Sequence, residues 1–257
     1  MADLNIIKYD NGWINMIPKK IHYCWFGNNP KSKLIKKCIK SWKMHLPDWE
    51  IIEWNENNYD INKNAYISEA YKQKKWAFVV DYARFDILNE QGGVFFDTDV
   101  EVLREIPEEL LEHQAFTGFE SDKTINPGLV FAAEAKHPML QQIMSVYEKK
   151  KFGEMINGRI ENIVDIVTGI MDKNGLQKNN TFQIVEKIAV YPKEYFCCFN
   201  HEIQAFEIQE ETISVHHYAA SWSPWYRRLY FKTIKVVAGI LGKERYLRIK
   251  RIIKKQK

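Results

Sequence analysis

The stretch Trp76-Ala-Phe-Val-Val-Asp-Tyr-Ala-Arg-Phe-Asp-Ile-Leu-Asn-Glu-Gln-Gly-Gly-Val-Phe-Phe-Asp-Thr-Asp-Val-Glu-Val-Leu103 decides the fold. It predicts a helix, a glycine stop and a short strand that ends in carboxylates. Ala77, Asp81, Arg84 and Leu88 recur at helical spacing and share one stripe. Phe78, Tyr82 and Phe85 form the neighbouring stripe. Gly92-Gly93 ends the helix, because glycine enters the left-handed cap without a Cβ penalty. The segment from Val94 is β-rich and alternates. Val94, Phe96, Thr98 and Val100 are expected on one side, and Phe95, Asp97, Asp99 and Glu101 on the other. Two carboxylates on one side repel unless a cation neutralises them. Hard oxygen ligands at this spacing suit Mg²⁺ or Mn²⁺. Taken alone, Asp-x-Asp is as readily a solvated acidic turn, and Asp81 with Arg84 as readily an i, i+3 ion pair. Their shared stripe with Ala77 and Leu88 points both charges inward, where charge is costly without a purpose.

The whole run resembles family-32 glycosyltransferases and the glucosyltransferase domain of large clostridial toxins. The shared pattern is Asp-x-x-Arg, Gly-Gly, an aromatic residue and Asp-x-Asp, met by Asp81, Arg84, Gly92, Gly93, Phe95, Asp97 and Asp99. The resemblance implies an α/β fold of GT-A type, a nucleotide-sugar donor, a divalent metal and retention at the anomeric carbon. It makes Asp81, Arg84, Asp97 and Asp99 the catalytic candidates. Phe95 stands where the toxins carry a tyrosine, so ring packing is kept and a hydroxyl contact is not.

Outward from this run, Ile17 to Gly27 predicts the first strand and a turn at Gly27-Asn-Asn-Pro30. Trp25 ends that strand. By composition it is a core tryptophan; by resemblance to the toxin motif His-aromatic-x-Trp-x-Gly it stacks on uracil, with Phe26 beside it. Ser32 to Met44 is amphipathic at helical spacing, Trp49 to Trp54 is a second strand, and Ala65 to Lys75 a short helix. Strand, helix, strand, helix, strand is the opening of a nucleotide-binding α/β sheet. Asn57, in the polar loop after the second strand, is a base-contact candidate by analogy with the toxins.

Beyond the acidic strand, Ile106 to Leu110 begins a lid-like connection. Phe116 to Phe119 is strand-like, and Asn126 to Ala133 is a turn and a buried strand. Met139 to Tyr147 is a helix, and in the family this region lines donor sugar and acceptor, with Asn126 the residue chosen. Asn162 to Met171 is helical; Ile188 to Pro192 and Glu194 to Phe199 are expected strands. Ser214-Val-His-His-Tyr-Ala-Ala-Ser-Trp222 resembles the family's C-terminal motif, which closes over the donor phosphates. By that match His217 is the third metal ligand, with His216 the alternative, and Ser221 and Trp222 touch the diphosphate. The toxins carry an acidic residue at the ligand position.

Composition sets the frame. A chain of 257 residues, 46% hydrophobic and 14% aromatic, is long and apolar enough for one globular core. It lacks an apolar run of the length a transmembrane helix needs, and its start lacks the pattern of a signal peptide. Cys24, Cys38, Cys197 and Cys198 lack metal-type spacing and are expected as reduced thiols of a cytoplasmic protein. Residues 1–224 are expected to form the GT-A domain and 225–257 a basic amphipathic tail. From Arg227 onward twelve basic residues face Glu244 alone, so the tail carries +11 of the net +4 and the body −7. Interleaved Leu229, Ile234, Val237, Leu241, Leu247 and Ile253 favour an interfacial helix on an anionic membrane over a nucleic-acid partner. The expected location is therefore the inner face of the plasma membrane, and the expected acceptor a glycan, lipid-linked ones included, in surface-polysaccharide synthesis. Two other classes use similar residues. A glycoside hydrolase needs carboxyl groups facing each other across a bond, which one short strand does not supply. A non-catalytic nucleotide-sugar or polyanion-binding protein has no use for intact metal ligands.

Overall fold

The computed structural model describes residues 6–9, 12–15, 17–156, 159–219 and 225–255. After a hairpin of Ile6–Tyr9 with Gly12–Asn15 come β1 (Lys20–Cys24), α1 (Lys33–His45), β2 (Glu50–Trp54), α2 (Ala65–Lys72) and α3 (Trp76–Gln91). Then follow β3 (Gly93–Phe95), β4 (Val100–Val102), β5 (Ala115–Gly118), β6 (Phe131–Ala133), α4 (Pro138–Lys149) and α5 (Ile163–Lys173). The chain closes with β7 (Gln183–Val185), β8 (Ile188–Tyr191), β9 (Ser214–His216), α6 (Trp225–Leu241) and α7 (Lys243–Lys255).

Seven strands form one mixed sheet in the order β7-β8-β5-β6-β3-β1-β2. β2, β1 and β3 run parallel, and β6 is antiparallel to β3 and β5. The expected α/β class, with helices flanking a mixed sheet, is what the chain forms. β3 separates two apolar layers by its pleat. Phe95 joins Phe85 and Phe131 in the core under α3, while Val94 and Phe96 join Trp42 of α1.

α3 is buried from Asp81 to Asn89 on every side, although Ala77 on the predicted inward stripe is exposed. A helix covered all round belongs to the centre of a domain. Gly92 and Gly93 follow it at φ 62° and 107°. At Gly93 a Cβ would lie 2.8 Å from the Lys20 carbonyl, so this sharp exit beside β1 requires glycine.

The acidic segment departs from the predicted continuous strand. β3 stops at Phe95, and Val100 N–H donates to the Asp97 carbonyl at 3.0 Å, closing a β-turn over Asp97-Thr98-Asp99-Val100. α1 holds the far side of this turn. The Trp42 indole N–H donates to the Val100 carbonyl (2.8 Å), and Ser41 Oγ accepts from Val102 N–H (3.0 Å). Trp42 is fully buried, so Trp42→Ala would cost roughly 3–5 kcal/mol and release β4 from α1.

Two further expectations change. Ile106, Leu110 and Leu111 are buried in the core, so the connection after β4 is packed structure rather than a lid. Lys193–Phe196, expected as a strand, is a single helical turn after Pro192. The tail forms two helices meeting at Gly242, with Lys243 paired to Glu207 and Lys250 to Glu202. Among the described residues no helix is long and apolar enough to cross a membrane.

Candidate active site

β4 pairs antiparallel with β9, placing His216 opposite Val100 and Val215 opposite Glu101. This pairing carries the late histidines to the acidic turn. Consecutive strand residues face opposite ways, and His216 and His217 divide accordingly. His216 Nε2 lies 3.0 Å from Asp99 Oδ1 and 3.8 Å from Asp97 Oδ2. His217 Nε2 lies 2.7 Å from Glu101 Oε2, and Lys37 pairs with the same carboxylate. The alternative, His216, thus replaces His217 beside the aspartates. Glu101 likewise leaves the side predicted for it.

One ligand-capable atom from each of Asp97, Asp99 and His216 lies within 4.8 Å of the others. The opposite carboxylate oxygens are already engaged. Asp97 Oδ1 accepts from Arg84 Nη2 at 2.7 Å, and Asp99 Oδ2 accepts from Ala219 N–H at 2.8 Å. Two oxygens and one imidazole nitrogen therefore face a common centre, a donor set that fits Mn²⁺ or Mg²⁺. Gly128 closes the wall, since a Cβ there would sit 2.5 Å from Asp97 Oδ2.

Charge follows this geometry. Burial alone would lower the His216 pKa, but Asp99, then Asp97 and Glu120, outweigh it and raise it. Burial alone would raise Asp99, but the His216 charge and hydrogen bond, with the Ala219 amide, hold it at about 2. An imidazolium thus balances the two carboxylates. Among the described residues, His216 Nδ1 is buried without a hydrogen-bond partner.

Arg84 is 1% exposed. Its guanidinium donates to the Pro127 carbonyl and to Asp97, and its carbon lies 4.7 Å from the Phe95 ring centre. The hydrogen bonds of Arg84 hold the loop after Asn126 to the acidic turn. Asp81 is buried near Arg84 and Asp97. Burial pushes its pKa up to about 7, against the pull of Arg84 and with the repulsion of Asp97.

Trp25 and Asn57 line one cleft of about 1070 Å³ at the ends of β1 and β2. The Trp25 indole N–H donates to the Asn29 carbonyl at 2.7 Å, and Lys31 lies 5.4 Å from its ring centre. Phe26 does not line this cleft; it is buried edge-on against Tyr59, because the chain turns inward after β1. Phe95 is fully buried under Arg84. Asn126 is buried, donating to Glu120 (2.8 Å) and accepting from Gly128 N–H (2.7 Å). Ser221 and Trp222 lie outside the described residues.

Sequence reasoning missed Glu120 and Tyr218. Tyr218 sits at φ 47°, with its ring 4.2 Å from that of His216 and its hydroxyl donating to Glu120 at 2.8 Å. A carboxylate directly after a buried strand, the signal that marked Asp97, was also available at Glu120.

Residues 32–117 match the family model described as the glycosyltransferase sugar-binding region containing DXD motif. Over that span the chain is similar to the DXD glycosyltransferases. The matched span includes α1, α3 and the Asp97-Thr98-Asp99 turn. Over 152 residues the chain is 27% identical to inositol phosphoceramide mannosyltransferase 1 of Schizosaccharomyces pombe. That match covers 55% of this chain and 45% of the relative, so it spans less than half the relative's length. Among solved structures, the galactosyltransferase LgtC in complex with donor and acceptor sugar analogs is similar at 13% identity and a TM-score of 0.46, over 87% of this chain and 96% of that one. A glycosyltransferase involved in the glycosylation of the major capsid of PBCV-1 is similar at 10% identity and a TM-score of 0.45, over 84% and 98%.

Proposed function

We propose that the chain is a metal-dependent, retaining hexosyltransferase that moves a sugar from a nucleotide sugar, a UDP-sugar by the Trp25 motif, to a glycan acceptor. The observation that carries this reading is the convergence of Asp97, Asp99 and His216, each with one donor atom facing the same centre.

In this reading Asp97, Asp99 and His216 hold Mn²⁺ or Mg²⁺, which offsets charge on the leaving diphosphate. Arg84, braced by its hydrogen bond to the Pro127 carbonyl, holds Asp97 through a second one, so the carboxylate is set before the donor arrives. Trp25 supplies a stacking face for the base and Asn57 a polar contact in the same cleft. Asp81 accepts from sugar hydroxyls and fixes the anomeric carbon; its burial keeps water from competing. Asn126 orders the wall beside Asp97, and Ser221 with Trp222 touch the diphosphate by the family match. Retention follows front-face attack. The acceptor oxygen bonds to the anomeric carbon as the carbon–phosphate oxygen bond breaks, and the leaving phosphate takes the hydroxyl proton.

The tail extends the proposal to location. Leu229, Val236 and Ile240 are exposed on α6, in a segment dense in lysine and arginine. This supports peripheral attachment to the anionic inner face of the plasma membrane, where a lipid-linked acceptor of surface-polysaccharide synthesis is presented.

Calorimetric titration tests the donor assignment. UDP binds the wild type only with Mn²⁺ present and binds more tightly than GDP, while Trp25→Ala weakens UDP about tenfold, the size of one lost stacking contact. Equal UDP affinity with and without the metal would exclude the metal-bridged donor.

A further inference from the structure

A second cavity, of about 280 Å³, opens between the loop after β5 and the segment from Lys193 to Gln209. It is distinct from the cleft that holds Trp25. We propose that it is the acceptor subsite and that it takes a single uncharged pyranose unit. The inference rests on the glycosyltransferase reading above and names the substrate class on its second side.

Position comes first. Glu120 lines this cavity, and its Oε1 accepts from the Tyr218 hydroxyl and from Asn126 Nδ2, both at 2.8 Å. Tyr218 packs edge-on against the His216 ring, and Asn126 holds Gly128 beside Asp97. The inner wall of the cavity is therefore one side chain away from the acidic centre. In the proposed reaction an acceptor hydroxyl would reach the acidic centre by passing Glu120.

Chemistry comes second. The volume falls near the small end of the roughly 300–1,000 Å³ typical of ligand sites, which suits one sugar ring. Phe199 and His201 present aromatic rings to the space, 4.9 Å apart and both packed on Tyr218. Such rings suit the C–H face of a pyranose. Glu120, His201 and Gln209 line the space with a carboxylate, an imidazole and a side-chain amide. They supply acceptors and donors for hydroxyl groups.

Charge excludes the acidic sugars. Glu120, Asp122, Glu194 and Glu207 line the cavity, and its lysine, Lys193, is already paired with Asp122 at 2.7 Å. Glu207 is paired with Lys243. A uronic acid or sugar phosphate placed here would face Glu120 and Glu194 without a free lysine or arginine among the described lining residues, and like charges at short range are unfavourable.

The test uses the full chain with Mn²⁺ and UDP, titrated with methyl β-D-glucopyranoside, methyl β-D-galactopyranoside and methyl β-D-glucuronide, followed by saturation-transfer NMR. At least one neutral glycoside is expected to bind, and the glucuronide about tenfold more weakly or not at all. His201→Ala and Gln209→Ala, both at exposed positions, are each expected to weaken the neutral glycoside about tenfold, while Mn²⁺-dependent UDP affinity moves less than about twofold. The proposal is overturned if the glucuronide binds as tightly as the neutral sugars, if no neutral glycoside binds, or if both variants bind it like the wild type. Absence of Mn²⁺-dependent UDP binding in the wild type would instead count against the glycosyltransferase reading, and the glycoside titrations would still decide the sugar subsite.

Discussion

His216 Nε2 stands 3.0 Å from Asp99 Oδ1, held there by the pairing of β9 with β4. Without a cation this contact is an ion pair, and a metal ion bound as proposed would displace its proton. The raised pKa of His216 sets the direction. Mn²⁺ affinity should rise with pH above the ordinary histidine value of about 6.5. The stabilising contribution of the imidazolium is fully present below that value and is lost as pH rises through the higher folded-state pKa. The metal-free thermal midpoint should therefore fall over that window, and saturating Mn²⁺ should restore it. Melting curves with and without Mn²⁺ across this range check both signs.

Arg84→Lys keeps the charge but loses the forked geometry that joins Asp97 to the Pro127 carbonyl. Partners that orient a ligand typically contribute about 10–100-fold to metal affinity. Mn²⁺ titration of this variant should show a loss of that order, with the fold retained by circular dichroism. Unchanged affinity would return Arg84 to the role of a structural ion pair.

Asp81→Asn should separate stability from activity. The folded-state pKa of about 7 lies above the ordinary carboxylate range. Between the two values the folded chain keeps a proton that the unfolded chain has released, so the wild type loses stability as pH rises through that window. The asparagine carries no such penalty. The variant should melt above the wild type at pH 8 and equal it near pH 4, while losing sugar transfer. An equal difference at both pH values would show that charge burial is not the cause.

The basic tail predicts salt-sensitive attachment. Each lysine or arginine near an anionic surface contributes about 1 kcal/mol. The full chain should co-sediment with phosphatidylglycerol vesicles at low salt and release at high salt, and a version ending at Pro224 should stay in solution. Equal behaviour of the two versions would make α6 and α7 a protein-facing element instead.

The helix, the double glycine and the paired carboxylates were legible because each signal is local: helical spacing in α3, a glycine stop at Gly92 and Gly93, carboxylates two residues apart. The caps of α1 and α5, at Ser32 and Asn162, are equally local. The choice between His216 and His217 was not. It depends on the register of β9 against β4, two three-residue strands more than a hundred residues apart. The same limit applies to Arg84. Its inward direction followed from spacing, but its partners, Asp97 and the Pro127 carbonyl, are set by how two later loops fold back over α3. Lys193–Phe196 shows tertiary context overriding propensity: aromatic residues favour strand, yet Thr212 and Ile213 bond to the carbonyls of Glu194 and Tyr195 and hold a helical turn.

In the proposed mechanism Asp97, Asp99 and His216 together hold a cation required for donor turnover. Release of UDP from a panel of UDP-sugars, measured with EDTA and then with excess Mn²⁺, tests it most directly in the wild type, His216→Ala and His217→Ala. Turnover should vanish in EDTA and return with Mn²⁺. His216→Ala should lose about 10²–10³ in rate, as removal of a key electrostatic element does, and His217→Ala only severalfold. Full turnover in EDTA, or an equal loss in both histidine variants, would contradict the account.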